Sequence, residues 1–456
     1  MLKIAIIGGG ISGLSAAYWL SSLAKQTGID ISIDLFEKES KLGGCIDTRH
    51  ENGFTIESAP NGFLDSKPYT LKLFNDAGLS NNLLKSNDAA RKRFIMRSNK
   101  LHRVPESAGS FLRSELISLK GKARIFSEFF IPQRKNDDDE SIAKFAKRRL
   151  GPEASDYLIS PMVSGIFAGD PEKMSLKSSF PVIYNLEKEY GGLFKGLLKK
   201  KNKKSGPSGP SGVLTSYKNG LYQSILDIGS KCINTEFHLN TAVTEIMKDN
   251  KGFKLSTIEG TFTCDKVIIN TPSYESGKFI KPLNNKLSNL LYDIPYAPSF
   301  IVGFGFKNED MDNTLDGFGY LIPANENKKI LGALFTSSIF PERVPDNYKL
   351  VRVILGGDRN HWMINKNDDE LVQISLNEIT DILQIKGEPE IIKHFRYNKA
   401  IPQYYIGHNK IASEIESISD QIGDLYFGGN ILYGIGINDC TKTSWDIVEK
   451  IIDSFK

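Results

Sequence analysis

A strand, a glycine-rich turn and a helix open the chain, a second strand–glycine–helix unit closes it, and strand patterns fill Ser299–Gly357. Together they predict a mixed α/β and α+β protein. Its parts would be a Rossmann-type domain split between distant segments, a mainly antiparallel sheet, and a helical region.

Lys3–Ile7 is a short apolar run, the pattern of a parallel strand buried on both faces. Gly13–Leu23 follows with helical spacing, and Ile31–Phe36 is a second strand, completing one βαβ unit. From about residue 85 to 200 helical patterning dominates. In Ser141–Leu150, for example, Ile142, Phe145 and Ala146 share a face, while Lys144, Lys147 and Arg148 lie elsewhere. Lys199–Gly212 reads KKKNKKSGPSGPSG. Its lysines repel one another and its Gly, Pro and Ser cannot build a core, so a mobile loop is expected. Strand signals alternate with turns from Phe237 to Val267, and Val267–Ile269 is a buried strand ending at Asn270-Thr271-Pro272. Ile301–Phe306 and Leu350–Leu355 are further strands, and Leu425–Phe427 with Gly428-Gly429 leads into a C-terminal helix.

The 456 residues suit two or three domains. A net charge of +4 is too small to argue for nucleic acid, and no basic stripe carries interleaved aromatics. Cys45, Cys232, Cys264 and Cys440 are scattered, without the spacing of a zinc site or a disulfide framework, and the six histidines show no metal or triad pattern. No apolar run is long enough to span a bilayer, and the early strand leaves no room for a signal peptide. A cytoplasmic protein is expected.

Gly8, Gly10 and Gly13 form G-x-G-x-x-G between strand and helix, with Ile11 and Ser12 inside the motif. The first glycine permits a tight turn, the second lets backbone approach a pyrophosphate, and the third lets helix and strand pack closely. The helix N-terminus then offers unpaired N–H groups to phosphates. Glu37 ends the second strand, where a carboxylate accepts from a ribose hydroxyl, and Lys38 follows it. Gly43 and Gly44, in Lys41-Leu42-Gly43-Gly44, resemble the second glycine pair of the flavin amine-oxidase superfamily. Gly428-Gly429-Asn430, then Gly434-x-Gly436-Ile437 and Asp439, resembles its C-terminal flavin motif. Val243, in Thr241–Ile246, resembles the residue whose backbone meets the adenine. The implied cofactor is FAD, and the implied metal content is none.

Longer stretches resemble the oxygen-dependent protoporphyrinogen and coproporphyrinogen oxidases, over nearly the whole chain. They include Glu57-Ser58-Ala59-Pro60-Asn61-Gly62-Phe63-Leu64, Arg93-Phe94, Ser164–Asp170, Gly317–Pro323, Leu331-Gly332, Leu355-Gly356-Gly357, and Ile401-Pro402-Gln403-Tyr404. Ala59, where glycine is usual, and the segment Asp439–Ser444 depart from the family pattern.

The resemblance implies oxidation of protoporphyrinogen IX to protoporphyrin IX in haem biosynthesis, by three hydride steps, with O2 as acceptor and H2O2 as product. The flavin would carry the chemistry, so no catalytic side chain is expected. Arg93 would pair with a substrate propionate; Leu321, Leu334 and Ile354, with Phe318 beside them, would sandwich the ring; Asn61 would lie near flavin and substrate. The implied domains are 1–85, 206–275 and 405–456 for FAD, 86–104 and 276–404 for substrate, and 105–205 as a helical, membrane-associating unit. Peripheral contact with the inner face of the cell membrane, a homodimer and the next haem-pathway enzyme are partners the resemblance leaves open. Coproporphyrinogen III as substrate, a flavin amine oxidase, and a flavin-binding protein without turnover are the alternatives.

Overall fold

The computed structural model describes residues 1–200 and 212–455, so most of the expected loop at Lys199–Gly212 lies outside the described residues. A five-stranded parallel sheet draws its strands from opposite ends of the chain. Its order is Thr235–His238, Ile31–Phe36, Leu2–Ile7, Lys266–Ile269 and Leu425–Phe427. Ile4, Ile6, Ile33, Val267, Ile268 and Ile269 are completely buried, as expected where both faces of a parallel sheet are covered.

The first helix runs Ile11–Thr27, beginning earlier and ending later than the expected Gly13–Leu23. Gly10 is its extended N-cap, and Gly28 ends it in the left-handed conformation at φ +74°. Between those caps, Leu14, Ala17 and Leu20 pack in one core with Val448, Ile451 and Ile452 of the C-terminal helix Ile437–Asp453. Trp19 meets Trp445 edge-on at 5.1 Å.

A seven-stranded sheet is ordered Ile391–Pro402, Tyr296–Lys307, Tyr348–Gly356, Ile330–Phe335, Gly319–Leu321, Arg93–Arg97 and Lys100–Arg103. Its pairs are antiparallel except that of Gly319–Leu321 with Arg93–Arg97, which run parallel and join an early hairpin to the later strands. One face packs on helix Asp368–Leu383 through Val302, Tyr320, Val353, Leu371 and Ile379. At one end of the other face the short strand Phe54–Glu57 lies directly on the sheet. A Cβ on Gly303 would come within 2.9 Å of Ile56, so glycine there is what lets the two layers touch.

The described part of 105–205 is mainly short helices. Ser141 caps Ile142–Arg149 by accepting from the Lys144 N–H. At its end Arg149 is fully buried and donates through Nε to Glu128 Oε1 at 2.8 Å. Glu128 also accepts from the N–H groups of Leu193 and Phe194 and so ties three segments together. Removing one member of a buried pair strands the other. Arg149→Met is expected to lower unfolding stability by about 3–5 kcal/mol, measured by chemical denaturation; an unchanged midpoint would show that the pair is dispensable.

Candidate active site

Three glycine turns meet at the C-terminal edge of the parallel sheet. A Cβ on Gly13 would sit 2.0 Å from the Gly8 carbonyl oxygen, so only glycine lets the helix start this close to the strand. The Gly43 N–H donates to the Gly9 carbonyl at 2.9 Å, and Gly10 bridges Gly43. A Cβ on Gly44 would lie 3.6 Å from the Gly10 Cα, and one on Gly429 would lie 3.6 Å from Ser12 Oγ. The two chain ends are locked there by Ser444 Oγ, which donates to the Ser12 carbonyl at 2.8 Å. Helix Ile11–Thr27 has no side-chain cap and no acid in its first turn, so its first N–H groups are available to an anion. Gly436 caps the C-terminal helix, whose first residue is Ile437; Asp439 accepts from the Gly436 N–H at 3.2 Å.

Glu37 is nearly buried, and its two oxygens accept from the N–H groups of Gly9 (2.8 Å) and Glu39 (3.0 Å). Those bonds hold the carboxylate beside the glycine turn. The Thr241 N–H donates to the Glu37 carbonyl at 2.9 Å and so carries buried Val243 to the same edge. Lys38 is different: its ammonium is half exposed and engages Glu39 and Glu275.

These residues fit a dinucleotide. Asn270 follows strand Lys266–Ile269 between Gly8 and Gly428, and a Cβ on Gly428 would strike its Oδ1 at 2.2 Å. Both polar ends of its amide are buried without a hydrogen bond among the described residues. Such a group calls for a ligand with donors and acceptors.

On the seven-stranded sheet, register places the other candidates. Gly319 is opposite Arg93 on one side and Leu334 on the other; Leu321 is opposite Gly332, which is opposite Ile354; Leu334 is opposite Arg352. Side chains alternate along strands, so Arg93, Leu321, Leu334, Arg352 and Ile354 share the face turned away from the main core. Leu321, Leu334 and Ile354 are half-buried, whereas Tyr320, Ala333 and Val353, on the opposite face, are fully covered. Helix Ser160–Phe167 roofs this face: a Cβ on Gly165 would lie 2.8 Å from Leu321 Cδ2. The result is a half-covered apolar face beneath a helix, termed the slot.

Arg93 stands at the slot's edge, its guanidinium 5.4 Å from the centre of the Phe318 ring. Phe318 in turn packs with Leu334 and Phe340. Burial pushes the Arg93 pKa down, with Glu106 pulling it back up. No hydrogen bond or ion pair engages the Arg93 side chain among the described residues. Its side chain is exposed, so the guanidinium is open to solvent at the edge of that face.

Asn61 belongs to a charged cluster that sequence reasoning did not find. Its Oδ1 accepts from Arg343 Nη1 at 3.2 Å, and Arg343 Nη2 pairs with Glu57 at 2.8 Å, all three groups being buried. Arg352, also buried, donates to the Ala59 carbonyl. The signal was present: Arg352 interrupts the apolar run Leu350–Leu355, and charges seldom enter a core strand without a task.

The chain matches the family described as flavin containing amine oxidoreductase over residues 11–452, and it belongs to that family. It is an oxidoreductase, with FAD as its cofactor. It is 30% identical to the coproporphyrinogen III oxidase of Bacillus subtilis (strain 168), over 96% of this chain and 95% of that one. It is 28% identical to protoporphyrinogen oxidase 2 of Arabidopsis thaliana, over 99% and 94%. A solved structure from Exiguobacterium sp. 255-15, assigned to the protoporphyrinogen oxidases, superposes with a TM-score of 0.84 at 24% identity, over 99% of both chains.

Gly13→Ala is expected to purify without bound FAD, because the new methyl forces the helix start off the strand. Gly28→Asn, at the far helix end where a Cβ meets nothing within 4 Å and Asn tolerates the left-handed conformation, is expected to stay yellow. Flavin absorbance per mole of protein checks both.

Proposed function

We propose that this chain is an oxygen-using porphyrinogen oxidase of haem biosynthesis that converts protoporphyrinogen IX to protoporphyrin IX. The observation that carries the reading is the half-covered apolar face with Arg93, unpaired among the described residues, at its edge; Tyr397 and Arg352 of the same sheet bond the carbonyls of Cys45, just after the Gly43-Gly44 turn, and of Ala59. A porphyrinogen is a broad apolar ring with carboxylates on its rim, and the slot offers one surface to each part. The names of the relatives support the same substrate class.

Bound FAD supplies the two-electron acceptor and passes those electrons to O2, giving H2O2. The side chains bind and orient. Gly8, Gly10, Ile11, Ser12 and Gly13 would hold the pyrophosphate, Glu37 the ribose, Val243 the adenine end, and Gly43, Gly44, Gly429, Gly436 and Ile437 the flavin end. Lys38, turned to Glu39 and Glu275, would act at most from the rim. Leu321, Leu334 and Ile354 would sandwich the ring and exclude water, and Arg93 would fix its orientation through a bidentate carboxylate pair. Removing six hydrogens as three hydrides and three protons consumes three O2, so the ring must be held or rebound through three rounds.

A second substrate is favoured by one feature. The strand after Arg93 leads into a recess lined by His102, Arg103 and Arg113, along with Glu106 and Glu115. Arg103 is taken by Glu106, which leaves Arg113 and His102 without an ion pair among the described residues, beside an equally unpaired Glu115; Arg113 is the group there that could meet a further carboxylate of the tetracarboxylate coproporphyrinogen III.

We also propose peripheral docking on a bilayer. No described helix is long and apolar enough to cross a membrane. The helical segment does expose Leu119 (81%) and Phe130 (82%), together with Leu112, Phe126 and Phe129. Lys195 lies over the Phe129 ring, so a cation accompanies the apolar groups, which suits an anionic lipid surface.

Two measurements test these readings. With protoporphyrinogen and coproporphyrinogen in parallel, O2 uptake and porphyrin fluorescence are expected for at least one. Arg93→Ala should lower its kcat/KM by about 10- to 150-fold, the cost of one charge-assisted contact; an unchanged value would remove Arg93 from the site. In co-sedimentation with anionic vesicles, the Phe129→Ser/Phe130→Ser double variant is expected to stay in the supernatant while the parent chain pellets; equal pelleting would exclude this patch.

A further inference from the structure

Arg352 is the least compensated buried charge near the slot. It is 2% exposed and sits in strand Tyr348–Gly356 on the slot face, flanked across the sheet by Leu334 and Gly303. It donates from Nη2 to the Ala59 carbonyl, while its Nε is buried with no acceptor among the described residues. Among the described residues no carboxylate lies within ion-pair distance of it. Glu57, whose charge acts on Arg352, is already engaged: it pairs with Arg343 and accepts from Thr48 Oγ1 and the Leu221 N–H. Glu57, Arg343 and Arg352 therefore form a buried group with two positive charges and one negative.

Burial pushes the Arg352 pKa down to about 10; Arg343 adds to the push and Glu57 and Tyr397 oppose it. It still carries its charge near neutral pH. An uncompensated buried cation is expensive, and a fold that keeps one gains where negative charge appears next to it.

The cluster also sets the direction of Asn61. Arg343 can only donate, so it must face the Asn61 oxygen, which turns the Asn61 NH2 the other way. That NH2 is buried and has no partner among the described residues. Ser58 Oγ donates to the Cys45 carbonyl at 2.7 Å, which pins the segment carrying Ala59 and Asn61 beside the Gly43-Gly44 turn, and Arg352 joins that segment to the slot face.

The geometry points to Arg352 as a charge-compensating residue for the redox step, with Arg343 as the positioning residue that aims Asn61 at the same ligand. Each hydride delivered into this cleft brings two electrons and one proton, and hence one unit of net negative charge. The excess positive charge of the cluster offsets it and raises the electron affinity of the bound flavin. This inference rests on the flavin and slot assignment above, not on which porphyrinogen is oxidised.

The test uses the FAD-loaded full chain and reads the flavin itself. In Arg352→Met, sulfite, an anion that adds to oxidised flavin, is expected to bind at least about tenfold more weakly, with a two-electron potential about 30 mV lower. Arg352→Lys keeps the charge and should stay near wild type at neutral pH. Asn61→Leu and Arg343→Lys should shift sulfite affinity in the same direction as each other. Sulfite affinity and potential unchanged in Arg352→Met would overturn the proposal. If Arg352→Met yields no FAD-loaded protein, Arg352→Lys decides: its potential should fall below wild type as alkaline pH neutralises the buried lysine, and a potential that tracks wild type throughout overturns the proposal. A colourless wild-type chain would sink the proposed function itself. A yellow, active wild type beside an Arg352→Met variant of unchanged potential would sink only this inference.

Discussion

The closeness of helix to strand at Gly8–Gly13 governs everything built on the parallel sheet. With 2.0 Å between a hypothetical Gly13 Cβ and the Gly8 carbonyl, the contact exists only because a side chain is missing. It brings the helix N-terminus to the sheet edge and lets Ser12 receive both Gly429 and the Ser444 hydroxyl from the far end of the chain. The partial positive charge at that helix end, and the loop that would cradle phosphate, are thus set by one packing constraint. Closing the two ends on each other in turn holds the three glycine turns together.

The large sheet meets a different demand, since its two faces do unlike jobs. Tyr320, Ala333 and Val353 are packed away with helix Asp368–Leu383, while Leu321, Leu334 and Ile354 keep part of their surface free under helix Ser160–Phe167. A face of half-covered leucine and isoleucine costs stability, because apolar area left in contact with water is area not buried. In the proposed function that cost would be recovered as an apolar ring filled the slot. The glycines at 303 and 305 show where the slot ends: there the sheet is already covered by Phe54 and Ile56.

Much of this was legible in the sequence, for physical reasons. The parallel strands are short apolar runs because both faces are buried, and the glycines are fixed by close approach, so each leaves a local mark. The slot residues were placed by resemblance; alternation alone would equally have put them in a core, and only register separates Leu321 and Ile354 from Tyr320 and Val353. The parallel pairing of Gly319–Leu321 with Arg93–Arg97 left no sign, since it joins strands far apart in the chain. Glu57, Arg343 and Asn270 escaped for the same reason: their roles come from neighbours distant in sequence.

The missed charges are the more instructive part. A core strand that holds Arg352 between Val351 and Val353 gives up hydrophobic burial and adds a desolvation cost, and the pairing of Arg343 with Glu57 shows that the fold can neutralise a guanidinium when it needs to. Arg352 is left without that treatment, two residues along the strand from Ile354 and against the Ala59 carbonyl. Arg93, at the outer edge of the same face, is exposed and also has no ion-pair partner among the described residues. One cation at the rim and one in the wall would act on different charges: the rim on carboxylates the substrate always carries, the wall on charge that exists only while electrons are held. A site that binds an anionic ring and then accepts hydrides into an apolar cleft needs both, and it needs them apart, because a carboxylate drawn in to Arg352 would cancel the charge that the transferred electrons require.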